Sequence, residues 1–296
     1  MAHVEGAQTP LTVLGALDPE APSPLGRSSL LRRMVAEPVT ALLVQRVLVM
    51  DVAHPSVAAA VGDHSRFEAH PWRRTGSTID VALRLVFGSS PTARAAVRQV
   101  YAVHDTIHGD TVAGTAYTAH DASLLAWVWA TLVDSVELAY TRWVRPLSAD
   151  EADTYYAEMV AFGRFLGIPA ALLPPDRAAF AVYLYSMLDD DRLGSDDRAR
   201  ELAGAVLWFE HRTVPSPVVR VGRVLAVTTL DPRLRRRLAL RLDAGDERLA
   251  ARLDAVLRTY YRRLPRARPV LPALYVALRR PTVGLGRRLR AVGPRL

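Results

Sequence analysis

The chain has 296 residues, half of them apolar, with 23% charged and 7% aromatic residues, a composition that suits a folded protein with a sizeable core. Its net charge of +8 comes without lysine or cysteine, so all 38 basic residues are arginine. Schiff-base and P-loop lysines, thiolate nucleophiles, disulfides and cysteine-bound clusters are thereby excluded, and reactive work falls to His, Asp, Glu, Ser, Thr, Tyr or a bound cofactor.

Residues 1–26 are rich in Pro and Gly and read as an extended leader. They lack a basic segment followed by an apolar stretch, so no export signal is expected and the cytoplasm is the expected compartment. From Ser28 to about Asp51 apolar residues at helical spacing predict helix, interrupted at Pro38. A short helix is expected within 52–72, between His54-Pro55 and His70-Pro71. The next helix, 73–87, stops at Gly88. Ser90 is then the expected cap of a helix with Pro91 at its first position, running to about His108 and ending at Gly109.

Asp121 caps the most apolar stretch, ASLLAWVWATLVDSVELAYTRWV, which reads as a buried central helix. Ser148 and Glu151 spell a capping box that opens a helix through about Leu166, closed by Gly167 and Pro169. Further helix is expected near 175–190, 196–211 and 215–229, although PSPVVRVGRVLAVTTL is also the one candidate strand. Helix is expected again over 232–263, and a last short one over 269–280. No run of eighteen uncharged apolar residues and no internal repeat is visible. The fold class is therefore all-α, a single globular multi-helix domain over 27–280 followed by a basic tail, 281–296. Residues 231–296 hold 18 arginines against five acids. That excess suits a solvated helix face or a weak contact with an anionic membrane surface. No nucleic-acid motif accompanies it, so no specific nucleic acid is expected.

Two pairs of polar residues stand out. Arg74 and Thr78 are four apart and share one side of their helix. His104 and His108, read as one turn apart, lie on a largely apolar face with Val97 and Tyr101. Such imidazoles need partners, either as a hydrogen-bonded pair or as metal or haem ligands. His104-Asp105 and His120-Asp121 are also His-Asp pairs, so a divalent-metal phosphohydrolase of the all-helical HD type is an alternative. Against it, Asp121 stands where a helix cap is expected, and no further His and Asp occupy the places such a site needs. A non-catalytic helical protein with a basic tail is the other alternative.

The segment HDTIHG…AGTAYTAHDASLLAWVWATLVDS resembles the haem oxygenase family that includes the rubber oxygenases (latex-clearing proteins) and MpaB-type oxygenases, long called a domain of unknown function. The resemblance is carried by His104, Ile107, Gly109, Gly114, Tyr117, Ala119, Asp121, Leu124-Leu125, Trp127-Val128 and Ala130-Thr131-Leu132. Upstream, Pro71, Arg74, Thr78 and Phe87-Gly88 fit the same pattern, as do His54-Pro55 and His64-Ser65. It covers about residues 45–270 and implies a globin-like helical core that binds b-type haem. His104 would be the axial iron ligand, with His108 the rival. Arg74 and Thr78 would lie on the opposite side, near oxygen or the propionates. Tyr117 and Trp127 would stand by the cofactor, or else orient the loop and fill the core. The implied reaction is oxygenation of a small apolar or secondary-metabolite substrate by O2, through C=C cleavage or C–H oxidation. Two departures separate the chain from the rubber oxygenases. These carry a lysine just before the Thr that can occupy the distal iron site, where this chain has Ser77. Many members have His after the Trp-Val pair, where this chain has Trp129.

Overall fold

A computed structural model describes residues 21–64, 71–208 and 216–263, and within 71–77 the helix backbone. Most of the leader, the side chain of Arg74, the 269–280 helix and the basic tail lie outside the described residues.

Helices dominate. The stretch read as one broken helix becomes α1 (Leu30–Ala36), α2 (Pro38–Ala41) and α3 (Val44–Ala53); Pro38 separates the first two, because it starts a new helix and cannot continue the old one. Pro55 has the same effect on α4 (Pro55–His64), and the chain axis turns by 103° at His54-Pro55. α5 (Pro71–Phe87) and α6 (Ser90–His104) are joined only by Gly88 and Ser89 and pack against each other as a hairpin. The N-terminal half of α5 thus runs beside the C-terminal half of α6.

α7 (Ala122–Ala139) starts where expected, with the Asp121 carboxylate accepting from the Ser123 N–H. It passes into a π turn, Tyr140–Val144. The length and composition of Ala122–Val144 would suffice to cross a membrane, but most of it is buried inside the fold, as befits a core helix. Residues two apart on a helix point about 200° apart, so Trp127 and Trp129 enter different cores. Trp129 packs with Val133, Tyr155, Tyr156 and Phe180, between α7, α8 (Ala149–Phe165) and α9 (Arg177–Asp189). Trp127 packs with Met50, Ala203 and Leu207, between α3 and α10 (Asp197–Leu207). Trp143, in the π turn, fills a third cluster with Val39, Leu225 and Tyr261, where α11 (Ser216–Thr229) and α13 (Ala244–Arg263) meet. A short α12 (Pro232–Arg237) links these last two. The capping box that opens α8 is complete: Ser148 Oγ accepts from the Glu151 N–H, and the Glu151 carboxylate from the Ser148 N–H.

Two expectations are corrected. The candidate strand at 215–230 is α11: Arg223 to Val227 are buried in an unbroken run rather than at alternate positions, and Thr228 and Thr229 bond back to carbonyls four residues earlier. The helix read as far as His108 ends at His104. The chain then forms an antiparallel hairpin of β1 (His108–Asp110) and β2 (Ala116–Thr118). Thr106 and Ile107 are β-branched and weak helix formers, and Gly114, at φ 76°, supplies the left-handed residue of the connecting turn.

Candidate functional site

α6 ends on His104 through a tightened last turn, in which the Thr106 N–H donates to the Val103 carbonyl and the Ile107 N–H to that of His104. The hairpin then folds back on itself. Its base is closed by the Ala119 N–H donating to the Ile107 carbonyl at 2.9 Å, which returns the chain to where it left α6. The next residue, His120, lands beside His104, with ring centroids 6.1 Å apart and nearly perpendicular. Tyr101, one turn back along α6, flanks both imidazoles, and its hydroxyl donates to the Leu166 carbonyl at 2.9 Å.

Across this turn the imidazole of the second His-Asp dipeptide takes the carboxylate of the first. His120 Nε2 lies 2.7 Å from Asp105 Oδ1, whereas Asp121 is occupied in capping α7. His120 is 8% exposed, and its Nδ1 is buried without a hydrogen-bond partner. Sequence reading had no signal for this pairing beyond the dipeptides themselves, because the partners are brought together by the hairpin. Among the described residues, no group of three or more His, Asp or Glu side chains gathers as a metal site. The HD-type alternative therefore finds no support there.

The other residues singled out in the sequence divide sharply. His108 is not on the helix face of His104. It is exposed in β1, and its carbonyl accepts from His64 Nε2 at 2.9 Å. Tyr117 is buried at the same hairpin, and its hydroxyl donates to Asp63 Oδ2 at 2.7 Å. The hydrogen bond from Tyr117 and then that from Arg198 hold the Asp63 carboxyl below the usual range. Burial, with the Asp63 carboxylate next, pushes the Tyr117 hydroxyl up to about 12, so it stays a donor at neutral pH. Trp127 is fully buried and donates to the Met50 carbonyl at 3.1 Å, the environment of a core residue. Thr78 is exposed on α5, and Arg74 lies one turn before it on the helix backbone.

The comparisons with known proteins agree with the motifs. Residues 31–259 match the family model described as ER-bound oxygenase mpaB/B'/Rubber oxygenase, catalytic domain. Two mycobacterial relatives, the uncharacterized proteins Mb2261 of Mycobacterium bovis and Rv2237 of Mycobacterium tuberculosis, are each 29% identical over 229 residues, covering 74% of this chain and 87% of theirs. No solved structure matches the chain. With three quarters of its length inside the family model, the chain belongs to the MpaB/rubber oxygenase catalytic-domain family, a family of oxygenases.

Proposed function

We propose that this protein binds b-type haem through His104 and uses it to oxygenate a small apolar substrate with O2. The observation that carries the reading is the pairing of His104 with a second, buried imidazole, inside a domain of the oxygenase family. The donor chemistry fits the group. A chain without cysteine cannot hold haem by thioether bonds or ligate it by thiolate, so imidazole is the natural strong-field donor. His104 sits at the end of a 15-residue helix packed along α5, a rigid mount for a ligand.

When bound, haem would supply the electron transfer to dioxygen that no side chain here can supply. The chain's own residues would do the rest. His104 would hold the iron through its imidazole. The Arg74 guanidinium, charged at every accessible pH, would pair with a propionate or offset negative charge developing on oxygen. The Thr78 hydroxyl would donate a hydrogen bond to the same oxygen. Both are carried on the helix that packs against the one bearing His104. Apolar walls would select an apolar substrate and keep water out.

Ultraviolet–visible spectra of the ferric, ferrous and CO-bound protein, expressed with haem supplied, test this. A Soret band is expected, lost or shifted in His104→Ala. A colourless protein, or one carrying bare divalent metal, would overturn it.

A further inference from the structure

We infer that His120, held in place by Asp105, is the positioning residue that accepts the ring N–H of His104 and so sets how strongly that imidazole donates to its metal. The inference rests on the reading of His104 as the haem ligand and goes beyond it, to a residue that the family's motif leaves unassigned.

A carboxylate can only accept, so the 2.7 Å contact to Asp105 places the ring hydrogen of His120 on Nε2. Nδ1 of the neutral ring then carries a lone pair, and that atom is buried with no partner. Burying a polar atom unsatisfied costs about 1–3 kcal/mol. A leucine would fill the same space without that cost, so packing alone does not account for an imidazole here. Tyr101 lies close enough to serve, at 5.6 Å between ring centroids, but its hydroxyl is committed to the Leu166 carbonyl. His104 is the other ring at hand, at 6.1 Å. A direct N–H···N bond of about 3 Å asks the two rings to close by roughly an ångström, a side-chain adjustment within reach of residues at a helix end and a helix start. Direct ligation by His120 is the poorer fit, because its bare nitrogen is the one beside the Cβ branch, which would crowd a macrocycle.

Histidine ligands of metals commonly pass their second N–H to a carboxylate, a carbonyl or water, and this partner fixes the tautomer and raises ligand basicity. Here the carboxylate acts through an intervening imidazole, in the order His104, His120, Asp105. No proton changes owner. The chain of hydrogen bonds polarises His104 toward stronger donation, which favours the oxidised metal.

The test uses the haem-loaded full chain and four variants. The readings are the ferric/ferrous midpoint potential, the iron–histidine stretching frequency of the ferrous form, and the rate of haem transfer to apomyoglobin. His120→Leu should raise the potential, lower the stretching frequency and speed haem loss by about 10- to 100-fold. His120→Gln, whose amide oxygen still accepts, should restore most of the parent values. Asp105→Asn should move all three readings in the same direction as His120→Leu, by less. Asp105 is 60% exposed, so that variant decides the matter should His120→Leu not fold. Parent potential and stretching frequency in a folded His120→Leu or Asp105→Asn would overturn the inference. His104→Ala separates the two readings. Should it keep a histidine-ligated spectrum, the assignment of His104 fails; should it lose that spectrum while the His120 and Asp105 variants are silent, only this inference fails.

Discussion

Asp51 lies in α3 at a place where neighbouring positions bury Val49, Met50, Val52 and Ala53. Its Oδ1 is 2.7 Å from the Thr131 hydroxyl, which is also 2.8 Å from the Val128 carbonyl. That hydroxyl has one hydrogen. It is shared between the Asp51 carboxyl and the Val128 carbonyl, both of which accept. Burial pushes Asp51 from the ordinary 3.8 up to about 7, outweighing the Thr131 hydrogen bond, which lowers it. The sign for stability follows. Below about pH 4 the carboxyl is protonated folded or unfolded, and its burial carries no ionic penalty. Between about pH 4 and 7 the folded state keeps a proton that the unfolded chain has released, so stability falls as pH rises. Asp51→Asn retains an acceptor for the Thr131 hydroxyl and removes the titration. It should match the parent near pH 4 and exceed it increasingly up to pH 7, by roughly 1–4 kcal/mol at pH 8. Urea midpoints at several pH values check this, and parallel profiles for the two proteins would refute it. Residues of this kind were the least legible in the sequence. Position 51 marked only the end of a helical pattern, Thr131 entered only as part of a family motif, and His120 only as half of a dipeptide. Each takes its role from a partner that is distant in sequence, and one-dimensional spacing carries no record of that.

Elements were read well where a local signal ends them. The Asp121 cap, the Ser148–Glu151 box and the break at Pro38 each rest on chemistry within four residues, and each is found in place. The end of α6 was misread because the apolar face continues past the last helical turn, so periodicity alone could not see the hairpin. Gly109, read as a helix stop, has a different reason for being glycine. It stands across the hairpin from Tyr117, and a Cβ there would meet the Tyr117 hydroxyl oxygen at 3.0 Å. The tyrosine ring thus covers the glycine and reaches over to Asp63 on α4. Gly109→Val should push the ring off this seat and free the hairpin, raising exchange at the hairpin amides well before global unfolding. Tyr117→Phe keeps the ring and loses only the hydrogen bond, so its cost should be about 1 kcal/mol in a thermal or urea melt. Equal effects from the two variants would show that the Asp63 contact, rather than ring packing on the glycine, holds the hairpin. Because the hairpin delivers His120 to His104, Gly109→Val should also disturb the His104–His120 pairing more than Tyr117→Phe does.

For the whole molecule, the sequence marked α7 as the central helix, and three clusters of core residues do meet around it. The charges inside that core were harder to read. Arg46 and Asp134 each stand within an otherwise apolar stretch of sequence. In the fold they face each other at 2.5 Å, with Arg46 4% exposed. The remaining guanidinium nitrogens donate to Ser135 Oγ and to the Thr229 carbonyl, so one side chain ties α3 to α7 and α11. A buried guanidinium and a partly buried carboxylate lose hydration that their attraction only partly returns, so the pair is weak evidence of net stabilisation. Removing one partner, in contrast, strands the other. Arg46→Met should therefore destabilise the protein by about 3 kcal/mol. Most of that loss belongs to the stranded Asp134 carboxylate and to the orphaned Thr229 carbonyl, not to lost attraction. The double variant Arg46→Met with Asp134→Leu separates these terms. It should recover more than half of the loss in urea midpoint, because the stranded charge is gone and only the Ser135 and Thr229 contacts stay broken. A double variant no more stable than the single one would mean that the three-helix tie, and not charge compensation, is what Arg46 supplies.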